Sequence, residues 1–122
     1  DAAHALAARL CRLMKQAAPS LRIAVSEEPK PEIAEDPDGA CGYDIWIAHI
    51  RAYQEDYAWQ RQRDHGEEVW FYSLDHDPDP YFNPTRVDVD GVHQRIIPWV
   101  SWSHRATGWG GRNRRSPIGG AA

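Results

Sequence analysis

The sequence predicts an α/β protein in which parallel strands alternate with helices. Three observations carry that prediction. Apolar residues switch along the chain between helical spacing and short strand-like runs. The strand segments are nearly continuous in apolar residues, as strands of a parallel sheet covered on both faces are. Long polar, aromatic loops follow the strands (26–42, 49–52 and 73–89), whereas the connections into strands are short (18–20 and 64–66). An open doubly wound sheet carries a Gly-rich phosphate turn after its first strand, and none is present here. A (β/α)8 barrel places its long loops after its strands. The asymmetry favours the barrel, and 122 residues are about half of the ~250 that one takes. The expectation is the C-terminal half of a (β/α)8 TIM barrel over residues 1–110, cut from a longer protein, with a disordered tail over 111–122.

The elements are justified in order. Leu6, Leu10, Leu13 and Met14 recur at helical spacing, with Arg9, Arg12 and Lys15 on the other side, and Pro19-Ser20 ends the helix. In "LRIAVSEEP" Leu21, Ile23 and Val25 alternate, which predicts a short buried strand ending at Ser26. Residues 29–42 are a Pro-, Gly- and acid-rich loop. "YDIWIAHI" is the second strand. Residues 53–63 read as an amphipathic helix with Tyr53, Tyr57 and Trp59-Gln60 turned inward, closed by Gly66. "EEVWFYSL" is the third strand. Residues 90–103 predict a helix with Asp90 as its cap and Val92, Ile96, Trp99 and Val100 along one stripe, with Pro98 inside it. "ATGWGG" opens a fourth strand.

Composition excludes several classes of function. The net charge of −4 leaves no basic footprint for nucleic acid or an anionic membrane. Mean hydropathy is low at −0.68, yet there are 6 Trp and 5 Tyr, more rings than a disordered chain carries and suited to stacking flat ligands. No apolar run reaches the ~18–20 residues of a membrane span. Residues 1–18 read as a helix and not as a signal peptide. Cys11 and Cys41 have no metal or disulfide spacing and read as plain buried thiols.

The candidate functional residues lie where strands empty into loops. Glu27 and Glu28 end the first strand, and alternation lets only one of them face a pocket. Asp44 and Trp46 share a face of the second strand, where Trp46 is either a platform for a sugar ring or a core side chain. His49 stands near a strand end, and the six histidines form no metal spacing, so neither metal nor cofactor is expected. Trp70 and Tyr72 share a face of the third strand. Asp75, Asp77 and Asp79 resemble part of a calcium loop but lack its Gly and its late Glu. Tyr81-Phe82 and Asn83-Pro84 read as a rigid rim that holds rings and an amide for a polyhydroxylated ligand. Arg86 and Arg95 are each placed to pair with a nearby acid. No Gly-x-Ser-x-Gly elbow supports a serine hydrolase.

Together, "LRIAVSEEPKPE", "YDIWIAH" and "EEVWFYSLDHDPDPYFNPTRVDVDGVHQRIIPWVSWSHRATGW" resemble the C-terminal half of the glycoside hydrolase family 123 type catalytic domain, also catalogued as domain of unknown function 4091. The resemblance runs over residues 3–110 and is most specific over 67–109. It implies a barrel that cleaves β-linked N-acetylgalactosaminides by a substrate-assisted route, an exception to the usual two-carboxylate scheme. The Asp-Glu pair for that chemistry is expected upstream of Asp1, so the catalytic residues are expected outside this chain and the chain alone is expected to be inactive. Glu27, Trp46, Tyr72 and Asn83 are the expected substrate-binding wall. The implied partners are a glycan or N-acetylhexosaminide and the missing N-terminal half of the barrel. The resemblance suggests export in a bacterium, and it also leaves open a non-catalytic carbohydrate-binding or structural module. After "GW", Gly110 to Arg115 departs from the family pattern.

Overall fold

The computed structural model describes residues 2–35, 42–74, 77–84, 86, 88 and 90–110. Cys41, Asp75, His76 and the tail from Gly111 onward lie outside the described residues. The elements are α1 (Ala2–Ala17), β1 (Ala24–Val25), α2 (Pro31–Ala34), β2 (Ile45–His49), α3 (Glu55–His65), β3 (Glu68–Tyr72), α4 (Val92–Ser103) and β4 (Gly108–Trp109). The four strands form one parallel sheet in the order β1-β2-β3-β4. The order never reverses, so this sheet has no doubly wound switch point among the described strands.

Register divides the sheet into two faces. Trp46 lies opposite Val69 and Ala48 opposite Phe71, all four buried; Ile47 lies opposite Trp70 and His49 opposite Tyr72, all four only half-buried. The first set packs with Ala8 and Cys11 of α1, Ile33 and Ala34 of α2, and Ala58 of α3. The helices therefore cover one face, as right-handed crossovers between sequentially ordered strands require. The sequence predicts cover on both faces. The difference arises because Ile47, Trp70 and Tyr72 are apolar enough to look like core, yet among the described residues no helix returns over them.

Three helices bury a different stripe from the one their sequence predicts; in α3 Ala58 and Arg61 are buried while Gln60 is exposed. In α1 the small residues Ala8 and Cys11 meet the sheet, while Leu6, Leu10, Leu13 and Met14 are exposed. Small side chains let a helix backbone approach a sheet, and the leucine stripe then turns outward. In α4 no residue is fully buried, and Val92, Ile96 and Trp99 are exposed. Its first residue follows Gly91, which makes no side-chain cap, so Asp90 does not cap it. Pro31 sits at the first position of α2, a short helix inside the predicted loop, where its missing N–H costs nothing. By contrast α3 ends as predicted: Gly66 adopts the left-handed conformation at φ 68° and its N–H bonds Gln62 O at 3.1 Å.

Below the open face, Glu68 accepts hydrogen bonds from Arg22, Trp70 Nε1 and Thr107 Oγ1. These three donors, Arg22 first, hold its carboxyl below the usual range. The Trp70 ring lies flat across β4. A Cβ at Gly108 would fall 2.5 Å from that ring, inside any allowed contact. Gly108→Ala is expected to cost about 1–3 kcal/mol, the range for overpacking, read as a drop in urea midpoint at unchanged m-value. Trp70→Leu in the same background should restore part of the loss.

Candidate functional site

In parallel α/β sheets, ligands gather beyond the carboxyl ends of the strands. Here those ends belong to His49, Tyr72 and the loop that follows β3. His49 and Tyr72 are register partners on the open face, with ring centroids 5.0 Å apart. The loop folds back over them. Asp77, its side chain fully buried, accepts the Leu74 N–H at 2.7 Å through Oδ2, and the same oxygen lies 2.9 Å from His49 Nε2. Arg51, from the turn after β2, brings a guanidinium nitrogen to 3.8 Å from Asp77 Oδ1 and lies over the Tyr81 ring at 5.8 Å. That distance makes a cation–π contact and ties the loop tip to β2. Asp77 Oδ1 is buried and has no hydrogen-bond partner among the described residues.

Asn83 holds the far end of the loop. Its side-chain amide donates to Leu74 O, and its backbone N–H donates to His93 Nδ1 at 2.9 Å. Phe82 packs against Trp109 with centroids 5.3 Å apart. The aromatic-to-polar stretch of the sequence is thus a strap that runs from β2 to β4 across the strand ends.

The four predicted wall residues separate. Tyr72 stands on the open face at the rim. Asn83 is buried in the strap and acts through it. Glu27 is paired with Lys30 at 3.0 Å, and Lys30 also holds Glu28 at 3.0 Å. These hydrogen bonds, Glu28's first, raise the Lys30 pKa. Trp46 is 1% exposed on the helix-covered face, and its indole N–H donates to Glu67 at 2.7 Å. A side chain in that position packs the core and does not face the open side. The strand parity that joins Trp46 to Ala48 sets His49 opposite to it, and this signal places His49 on the rim.

Two other sites lie on the sheet, one beside the rim and one at the far end of the strands. On the covered side, a 260 Å³ groove lies between the rim and α4, lined by Tyr53, Glu55, Phe71, Tyr81, Phe82 and His104 among others. Burial, followed by the nearby Glu55, pushes the Tyr53 hydroxyl up to about 12, so it stays a donor and bonds His104 O at 3.1 Å. At the opposite end of the strands, Lys15 pairs with Asp44 at 2.7 Å, and Arg61 forms a two-pronged pair with Glu67. Burial opposes the Asp44 charge, but Lys15 and the Ile23 N–H outweigh it and leave its carboxyl below the ordinary range. These groups line a 330 Å³ pocket at the sheet's N-terminal end.

Among the described residues no group of three or more His, Cys, Asp or Glu side chains is placed to hold a metal ion, and no helix is long and apolar enough to cross a membrane. No family model, curated protein or solved structure matches this chain.

Proposed function

We propose that this chain supplies part of the wall of a (β/α)8 barrel and that the ends of β2 and β3 bind a saccharide, of the N-acetylhexosaminide class. The observation that carries the reading is the rim itself. An imidazole, a tyrosine ring and a guanidinium converge at the carboxyl ends of parallel strands, under a strap pinned by Asp77 and Asn83. Polyhydroxylated ligands need flat apolar faces together with fixed hydrogen-bonding groups. The unreversed strand order and the helix-free face support the barrel, because four more strands would enclose the face that Ile47, Trp70 and Tyr72 line.

Binding, not bond cleavage, is the task assigned to these residues. Glu27 and Glu28 share a pairing with Lys30, and Asp77 is committed to His49 and the strap. No Asp followed directly by Glu occurs in the sequence, which favours a non-catalytic role for this chain within a carbohydrate-active barrel. Titration calorimetry with N-acetylgalactosamine should give saturable binding, weakened about tenfold in Tyr72→Ala. An aryl N-acetylgalactosaminide should release no aryl alcohol. Absence of saturable binding to any N-acetylhexosamine would refute the reading, and turnover would refute the assignment of cleavage elsewhere.

A further inference from the structure

We infer that His49 is the group that receives a ligand hydroxyl at this rim, through Nδ1, and that Asp77 is the residue that prepares it. The inference rests on the saccharide reading of the rim and names the atom that does the recognising.

The argument begins with the carboxylate. Asp77 has a fully buried side chain, and Oδ2 already accepts the Leu74 N–H. An ionised carboxylate can only accept hydrogen bonds. Its contact with His49 Nε2 at 2.9 Å therefore requires that Nε2 carry the proton. The neutral imidazole then has its lone pair on Nδ1. No hydrogen bond to Nδ1 is formed among the described residues. A histidine that only braces the fold has both nitrogens satisfied when buried. This one is spared that need because its side chain keeps 14% of its exposure, on the open face beside the Tyr72 ring.

Among the described residues, three charged or titratable groups stand around His49. Asp77 comes from the strap, Tyr72 from β3, and Arg51 from the turn after β2, nearest to Asp77 Oδ1. Arg51 and Asp77 offset each other. What remains is a neutral acceptor next to an aromatic ring, which fits an O–H above an apolar sugar face. The arrangement follows the logic by which a buried carboxylate fixes a histidine tautomer, used here for a hydrogen bond with no covalent step. Asp77 is a positioning residue; His49 is the one that touches the ligand.

The test is nitrogen NMR of the full chain with 15N-labelled histidine, at mildly alkaline pH. Without sugar, His49 should show a protonated Nε2 and an unprotonated Nδ1, and Asp77→Asn should mix the tautomers. Adding N-acetylgalactosamine should move Nδ1 toward the hydrogen-bonded range. Affinity should fall about tenfold in His49→Phe, the loss of one hydrogen bond. His49→Asn, which keeps an acceptor near Nδ1, should recover most of it. A protonated Nδ1 in the free chain overturns the inference whatever the sugar does. Sugar binding that leaves Nδ1 unmoved overturns it and leaves the saccharide reading standing. A correct tautomer with no response anywhere to sugar overturns the saccharide reading, and this inference with it.

Discussion

Glu67→Ala is expected to cost about 3–5 kcal/mol of stability, the range for breaking a buried ion pair by removing one partner. Glu67 accepts from Arg61 Nε at 2.8 Å and from a second Arg61 nitrogen, and from Trp46 Nε1 at 2.7 Å. The side chains of Arg61 and Glu67 keep only 8% and 6% of their exposure. Removing the carboxylate leaves the indole N–H of Trp46 without its acceptor and the guanidinium with Tyr57 as its remaining partner, where both are largely desolvated. Small domains have about 5–15 kcal/mol in total, so this one change should bring the chain close to unfolding at room temperature. Urea unfolding followed by tryptophan fluorescence measures it. The double variant Arg61→Met/Glu67→Leu should regain most of the loss, because apolar side chains of similar volume remove the desolvation penalty along with the pair. Its failure to do so would mean that the pair sets the geometry of α3 against β3, beyond neutralising charge.

Phe71→Ala is expected to cost a similar ~3–5 kcal/mol, by a different route. Phe71 is 2% exposed at the centre of the covered face. The Tyr53 ring meets it edge-on with centroids 4.6 Å apart, and His104 lies 6.0 Å away. Phe71 also forms a wall of the 260 Å³ groove, so truncation joins a new void to an existing one, and the neighbours have little cause to collapse into it. The same unfolding experiment reads the loss. Phe71→Leu should recover more than half, since it restores most of the buried volume. An effect below ~1 kcal/mol would mean that α4 and the strap move in to close the gap.

Element type was legible in the sequence where local chemistry decides it. The helix expected over 53–63 and found over Glu55–His65, the glycine that stops it, and the apolar runs of β2 and β3 each left a direct trace, although Ala58 and Arg61 are buried in place of the expected Trp59-Gln60. Burial was less legible, because it depends on partners outside the window. The leucines of α1 form the stronger apolar stripe, yet Ala8 and Cys11 touch the sheet. Arg61 faces inward against the usual rule for charge, because Glu67 and Trp46 wait for it six and fifteen residues away in sequence. The rim was half legible. Tyr72 follows from strand parity, and so does His49 once Trp46 is assigned to the core. Asp77 could not be tied to His49 from spacing, since 28 residues separate them and only the parallel pairing of β2 with β3 brings the strap over β2.

Both that pairing and the proposed ligand meet at the same end of the sheet, and amide chemical-shift mapping tests the two together. On titration of the full chain with N-acetylgalactosamine, the account predicts saturable shifts confined to residues 49–52, 72–74 and 77–83. Shifts centred on the opposite end, at Asp44, Gly66 and Glu67, or on the exposed face of α4, would contradict it, as would a spectrum that the sugar leaves unchanged.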